Sequence, residues 1–240
     1  MGEIMVNRMS KSMIKCYDMC PLWCKFQYIN KLTAPVSVAG EKGRDYHKKF
    51  EEFFNSLDKP EDVLQKAEML ETDIHIQNFL NFVRFLYTEL EDKENIRPIA
   101  KEIKIYDKEK HLVGVIDAVF KDNDKIIVLD WKTGKYDEKE LPNYRFELGI
   151  YTYLWNREIE NPESKFRNFP KATHWAIFFS VNGKLWLEPI NETETKKALQ
   201  HVEEIKNKMG NEEFEPKIGK HCSWCPYPEE CSEYISEVKK

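Results

Sequence analysis

No stretch of this chain is apolar for the eighteen or more residues that a helix needs to cross a bilayer, and the opening MGEIMVNRMSKSMIK has no apolar core of the secretory kind. Val6 stands where a myristoylation signal at Gly2 would need Ser or Thr. The expectation is a cytoplasmic protein without a membrane partner. Positive charge is also short. With 37 Lys and Arg against 42 Asp and Glu the net charge is −5, so nothing draws the whole molecule to a polyanion, and such a partner would have to meet a local basic surface. The chain has no GxxxxGK[ST] phosphate loop, which excludes a nucleotide-driven motor of that class. In a reducing compartment disulfides are rare, so the six cysteines read as metal ligands or free thiols.

The 240 residues, 41% apolar and 33% charged, are enough for one sizeable core. The expected division is a helical region over 1–97, an α/β core over 98–209 and a Cys-rich tail over 210–240 that packs with the N-terminal helix as one domain. Organisation centres on Gly114 to Gly134, GVIDAVFKDNDKIIVLDWKTG. It reads as two strands joined at Lys121–Asp124. Alternation along a strand puts Asp130 and Lys132 on one face and Trp131 on the other. The hairpin can bring Asp117 to the same end as Asp130. Two carboxylates and an ammonium at the end of an apolar hairpin suit a divalent cation with a basic residue beside it; strand-end charges in water are the plainer alternative.

Around this hairpin, residues 10–32 read as a helix interrupted near Pro21 and carrying Cys16, Cys20 and Cys24 at four-residue intervals. Gly40–Gly43 reads as a loop and Arg44–Leu57 as a helix with His47 and Glu51 one turn apart. Helical patterns follow over Lys59–Glu71 and Thr72–Glu91, then a strand over Ile99–Asp107 with Glu102 and Lys104 on one side. Leu141–Trp155 reads as a helix, Thr173–Ser180 and Lys184–Pro189 as a hairpin, and Glu192–Met209 as a helix with Leu199, Val202 and Ile205 inward. The tail HCSWCPYPEEC spaces Cys222, Cys225 and Cys231 as C-x2-C-x5-C, a metal-binding pattern that needs a fourth ligand from far away in the chain.

Gly114-x-x-Asp117 on one strand and Asp130-Trp131-Lys132-Thr133-Gly134 on the next resemble the PD-(D/E)XK nuclease superfamily, and within it the RecB-like branch. The resemblance implies a central mixed sheet flanked by helices, with a helical N-terminal part and a Cys-rich C-terminal iron–sulfur staple. It implies a Mg²⁺- or Mn²⁺-dependent deoxyribonuclease, an exonuclease acting on DNA ends or single strands and leaving 5′-phosphates. Gly43-x-x-x-His47 is similar to the motif that supplies a histidine ligand. The implied metal set is then His47, Asp117, Asp130 and the Trp131 carbonyl, with Lys132 and Tyr151 also catalytic and Glu51 and Glu102 accessory. The branch carries Gln-x-x-x-Tyr where this chain has Glu147-x-x-x-Tyr151, which puts the role of that position in doubt. Cys20, followed by Pro21, resembles the N-terminal ligand of the iron–sulfur members, implying a 4Fe-4S cluster on Cys20, Cys222, Cys225 and Cys231; four thiolates would also hold structural Zn²⁺. Any unwinding falls to a helicase or recombination partner. A second reading keeps the nuclease core only as a non-catalytic scaffold for binding nucleic acid or a partner, and a third is a zinc-stapled interaction protein.

Overall fold

The computed structural model describes residues 8–34, 38–68, 72–231 and 233; Gly2, Val6 and Glu71 lie outside them. Among the described residues are six strands and seven α-helices: β1 (Met9–Ser10), α1 (Lys11–Met19), α2 (Pro21–Cys24), α3 (Val38–Asn55), α4 (Asp62–Ala67), α5 (Ile74–Glu89), β2 (Ala100–Asp107), β3 (Leu112–Asp122), β4 (Lys125–Lys132), α6 (Leu141–Glu160), β5 (His174–Phe179), β6 (Lys184–Pro189) and α7 (Glu192–Gly210). The chain falls into two compact units, one from the described parts of 1–37 with 106–113 and 198–240, the other from 38–105 with 114–197.

The sheet is mixed. Its order is β1-β3-β4-β5-β6, with β2 also paired to β3. β3 and β4 form the expected antiparallel hairpin, turning at Asn123, whose φ of 52° is one that Asn tolerates better than most residues. β4 runs parallel to β5, and β5 folds back on β6 through a turn containing Gly183 at φ 66°. α6 supplies the connection that a parallel pair requires.

In the second unit each strand face has its own cover. Trp131, Ala118, Phe120 and Phe178 point to one side and pack with Phe50 and Phe54 of α3 and Phe79 and Phe82 of α5. Phe50 stacks on Phe79 with centroids 4.2 Å apart, and Phe82 on Phe178 at 4.4 Å. On the other side lies α6, joined to β5 by the Trp175 indole N–H donating to Thr152 Oγ1 at 2.7 Å. Gly114 faces α6 as well, since a Cβ there would lie 2.6 Å from Leu154 Cδ1.

In the first unit, Ser10 caps α1 by accepting from the Met13 N–H at 3.2 Å. The expected helix over 10–32 is broken at Cys20, which is extended because a residue before proline is steered away from helical geometry; Pro21 then starts α2, and Lys25–Ile29 continues as a π-helix. The Tyr17 hydroxyl donates to the Glu213 carbonyl, and the Tyr227 hydroxyl to the Leu32 carbonyl at 3.0 Å, so both ends of the chain meet in this unit.

Three expectations need correction. Gly40–Gly43 is not a loop but the start of α3. A helical glycine costs roughly 1 kcal/mol, which the aromatic stripe Phe50–Phe54 that anchors α3 offsets. The helix expected over Lys59–Glu71 is confined, among its described residues, to Asp62–Ala67. In α7 the inward positions are Ala198, Val202, Ile205 and Met209, with Leu199 only half-buried.

Candidate metal centre

The hairpin register explains how the acidic residues meet. Pairing ends at Ala118 opposite Leu129, and one further step sets Asp117 opposite Asp130. There the ladder gives way to a side chain, as the Trp131 backbone N–H donates to Asp117 Oδ2 at 2.8 Å. Both carboxylates are buried, Asp117 7% and Asp130 2% exposed, so their charges are held away from water.

His47, on α3, reaches the same point. Its Nδ1 lies 3.5 Å from Asp117 Oδ2 and 3.8 Å from Glu102 Oε1. One donor atom from each of His47, Glu102 and Asp117 lies within 4.8 Å of the others, the one such group of His, Cys, Asp or Glu among the described residues. Glu102 gets there through an unusual backbone: its φ is 45° inside β2. A left-handed non-glycine residue costs about 1–3 kcal/mol and breaks the alternation of a strand. Such strain concentrates at functional sites.

The electrostatics of this group are unbalanced. Burial first, then the charge of Asp117, push Glu102 up to about 7, with Glu51 and Asp130 adding to the effect. Burial is the largest influence on His47 and lowers it, but the bond to Asp117 and the charges of Asp117, Asp130 and Glu102 together win and raise it. Glu102 Oε1 is buried without a hydrogen bond among the described residues. Oxygen donors with one imidazole, crowded together and under-compensated, suit a hard divalent cation such as Mg²⁺ or Mn²⁺. The residues present fit such an ion.

One step along β4, Asp130 Oδ2 is 2.9 Å from Lys132 Nζ, as alternation predicts. Lys132 also donates to Glu147 Oε2 of α6 at 2.7 Å, and Glu147 is only 3% exposed. The carboxylate standing in place of the resemblance's Gln is therefore an ion-pair partner of the lysine. Sequence reasoning doubts that a Glu can hold the lysine because it cannot donate as an amide does, but the ammonium is the donor here. Tyr151 is buried, its ring 3.4 Å from where a Gly114 Cβ would be. Its environment is that of a packed aromatic. Glu51 is half-buried and shares with Glu102 the lining of a polar groove of about 800 Å³.

In the first unit Cys20, Cys222, Cys225 and Cys231 line a common cavity. The Lys217 N–H donates to Cys20 Sγ at 3.5 Å and the Gly219 N–H to Cys222 Sγ at 3.4 Å. Burial, the largest influence, pushes the Cys225 thiol up; a bond from the Tyr227 backbone opposes this and the other three thiols reinforce it. Cys16 and Cys24 are core thiols by contrast. Cys24 is fully buried, donates to the Met13 carbonyl at 3.5 Å and is raised chiefly by its bond with Cys16.

A model of the PD-(D/E)XK nuclease superfamily matches residues 8–232. A crystal structure of a protein provisionally named an exonuclease, from Eubacterium rectale, is similar in fold, with a TM-score of 0.52 at 13% identity over 91% of this chain and 87% of that one. No curated protein matches the chain.

Proposed function

Because the chain belongs to the PD-(D/E)XK nuclease superfamily, whose members are metal-dependent nucleases, we propose that it hydrolyses phosphodiester bonds in DNA, as an exonuclease of the RecB-like kind acting on ends or single strands and leaving 5′-phosphates. The observation that carries this reading is the meeting of His47, Glu102 and Asp117 beside the Asp130–Lys132–Glu147 chain. His47, Asp117 and Asp130 would hold Mg²⁺ or Mn²⁺ together with Glu102 and the Trp131 carbonyl. The ion supplies Lewis-acid polarisation of the scissile phosphate and a water of lowered pKa.

The chain's own residues set up the rest. Asp117 fixes the end of β4 by accepting from Trp131, which holds Asp130 and Lys132 at the mouth of the site. Lys132, held by two carboxylates, offers positive charge to the phosphate as negative charge develops there. Glu147 serves as the partner that orients it. That pairing supports a working site over the non-catalytic scaffold for which Glu147 is the best argument. Tyr151 packs Gly114 and supports the strand from behind.

The four-thiol cavity is proposed to hold a 4Fe-4S cluster on Cys20, Cys222, Cys225 and Cys231, with structural Zn²⁺ as the second reading. Thiolates about 2.3 Å from one zinc ion stand about 3.8 Å apart, whereas no three of these thiols form a group within 4.8 Å among the described residues. The resemblance of the Cys-Pro pair and the C-x2-C-x5-C tail to the iron–sulfur members of the branch favours the cluster. A brown anaerobic preparation supports it; a colourless one containing stoichiometric zinc overturns it. The activity is tested by digesting end-labelled single- and double-stranded DNA with Mg²⁺, Mn²⁺ or chelator. Cleavage that needs the metal and releases 5′-phosphates from ends is expected, and inertness towards every substrate contradicts the proposal. A helicase or recombination partner would supply any unwinding.

A further inference from the structure

His75 belongs to none of the motifs above, yet it touches the immediate neighbours of two residues of the site. Asp73 caps α5, accepting from the His75 N–H at 2.9 Å, and also accepts the Tyr46 hydroxyl at 2.6 Å. That ties the start of α5 to α3. The Tyr46 ring lies on the His75 ring, with centroids 4.3 Å apart and planes 31° from parallel. Tyr46 precedes His47. On the other side His75 Nδ1 is 2.8 Å from Ser180 Oγ. Ser180 is fully buried, its own N–H donates to the Lys132 carbonyl at 2.8 Å, and its hydroxyl oxygen lies 3.2 Å from the same carbonyl. Asn78 Nδ2 donates to the Ser180 carbonyl at 2.8 Å and fixes it further.

These bonds fix the position of the ring. With the Ser180 hydroxyl donating to His75 Nδ1, Nε2 carries the ring proton and is the atom left for a ligand. Nε2 has no hydrogen-bond partner among the described residues, and the side chain is only half-buried. A ring clamped on one face and at one nitrogen is costly to build for packing alone, since one fully apolar side chain would fill the same place. The surroundings are basic and aromatic. Lys42, Tyr46 and Lys49 follow one another at i, i+4 and i+7 on one face of α3, and Lys49 Nζ lies 5.6 Å from the centre of the Tyr46 ring. Lysines flanking an aromatic ring make a track for a phosphate backbone in a protein whose overall charge offers none.

We propose that His75 is a substrate-contacting residue: its Nε2–H donates to an oxygen of the nucleic-acid phosphate that flanks the scissile one, so that Ser180 ties the register of the bound strand to Lys132. The proposal rests on the nuclease reading and deepens it. The charge of the phosphate makes this a charge-assisted bond.

The test uses the full chain and DNA oligonucleotides carrying one methylphosphonate walked along the strand. Binding is measured with Ca²⁺ and cutting with Mg²⁺ or Mn²⁺. Wild-type protein is expected to lose about tenfold in binding when the uncharged group sits beside the cut. His75→Ala is expected to lose a similar factor on unmodified DNA and to show no further penalty at that position, with Mn²⁺ affinity and Tm unchanged. His75→Gln, which keeps a donor and the bulk of the ring, recovers part of the loss and guards against misfolding of the alanine variant. Equal methylphosphonate penalties in wild type and variants while wild type cuts DNA overturn the role of His75 alone. Neither binding nor cutting by wild type overturns the nuclease reading and this proposal together.

Discussion

The carboxylate pocket and the cysteine cavity are both sets of converging metal-binding side chains, but they are built on opposed plans. The pocket takes hard donors from α3, β2 and β3, packs one atom of each within 4.8 Å and drives Glu102 up to about 7 by burial and mutual charge. The cavity takes soft donors from the two ends of the chain and spreads them, with backbone N–H groups already aimed at two of the sulfurs. On the proposed reading, the first arrangement holds unfavourable free energy that a cation would relieve, and the second would close a loop of about two hundred residues and contribute to folding when filled. Loss of a ligand should accordingly cost activity in the first and stability in the second.

The largest expected effect lies in the pocket. Asp117→Ala or Lys132→Ala should lower cleavage at least about a thousandfold, with the fold retained by circular dichroism; a variant of either kind with full activity breaks the catalytic assignment. In the cavity, Cys225→Ser should bleach the protein and lower Tm on the order of 10 °C, measured by calorimetry under anaerobic conditions. An unchanged Tm would make the cavity incidental.

Two glycines sharpen the same contrast within the hairpin. Gly114→Ala forces a methyl to within 2.6 Å of Leu154 Cδ1, an overpacking expected to cost about 1–3 kcal/mol in denaturant unfolding. A Cβ at Gly134 meets nothing within 4 Å. Gly134→Ala should leave stability alone, so any activity it loses reports room kept for the substrate.

The smallest effect has the opposite sign. Glu102 titrates near 7 in the folded protein against an ordinary value of 4.5. The unfolded chain therefore holds fewer protons between those values, and the carboxyl stabilises below 4.5 and loses that contribution as pH rises through about 7. In the metal-free protein Glu102→Gln should raise Tm at pH 8 by about 2–4 °C, a modest figure because the side chain is partly exposed. The gap should close by pH 4, and Mn²⁺ should reverse it.

The hairpin was legible because alternation is a property of any strand: Asp130, Trp131 and Lys132 had to divide between faces, and they do. His47 and the trio Cys222, Cys225 and Cys231 are singled out by motifs of local spacing, and Cys20 by the proline that follows it. Three features could not be read. Glu102 is marked as an accessory residue by the resemblance alone, because the left-handed backbone that turns it toward His47 has no glycine or asparagine to announce it. The start of α3 hid behind two glycines whose cost only the tertiary packing offsets. The partners of Lys132 and His75 lie 15 and 105 residues away, on elements whose relative placement periodicity does not encode.

The central claim is that His47, Glu102 and Asp117 share one divalent ion, and a titration of the protein with Mn²⁺ followed by electron paramagnetic resonance tests it most directly. One tightly bound ion is expected in wild type and in Cys225→Ser, lost alike in His47→Ala, Glu102→Ala and Asp117→Ala. Undiminished Mn²⁺ binding in those three variants would contradict it.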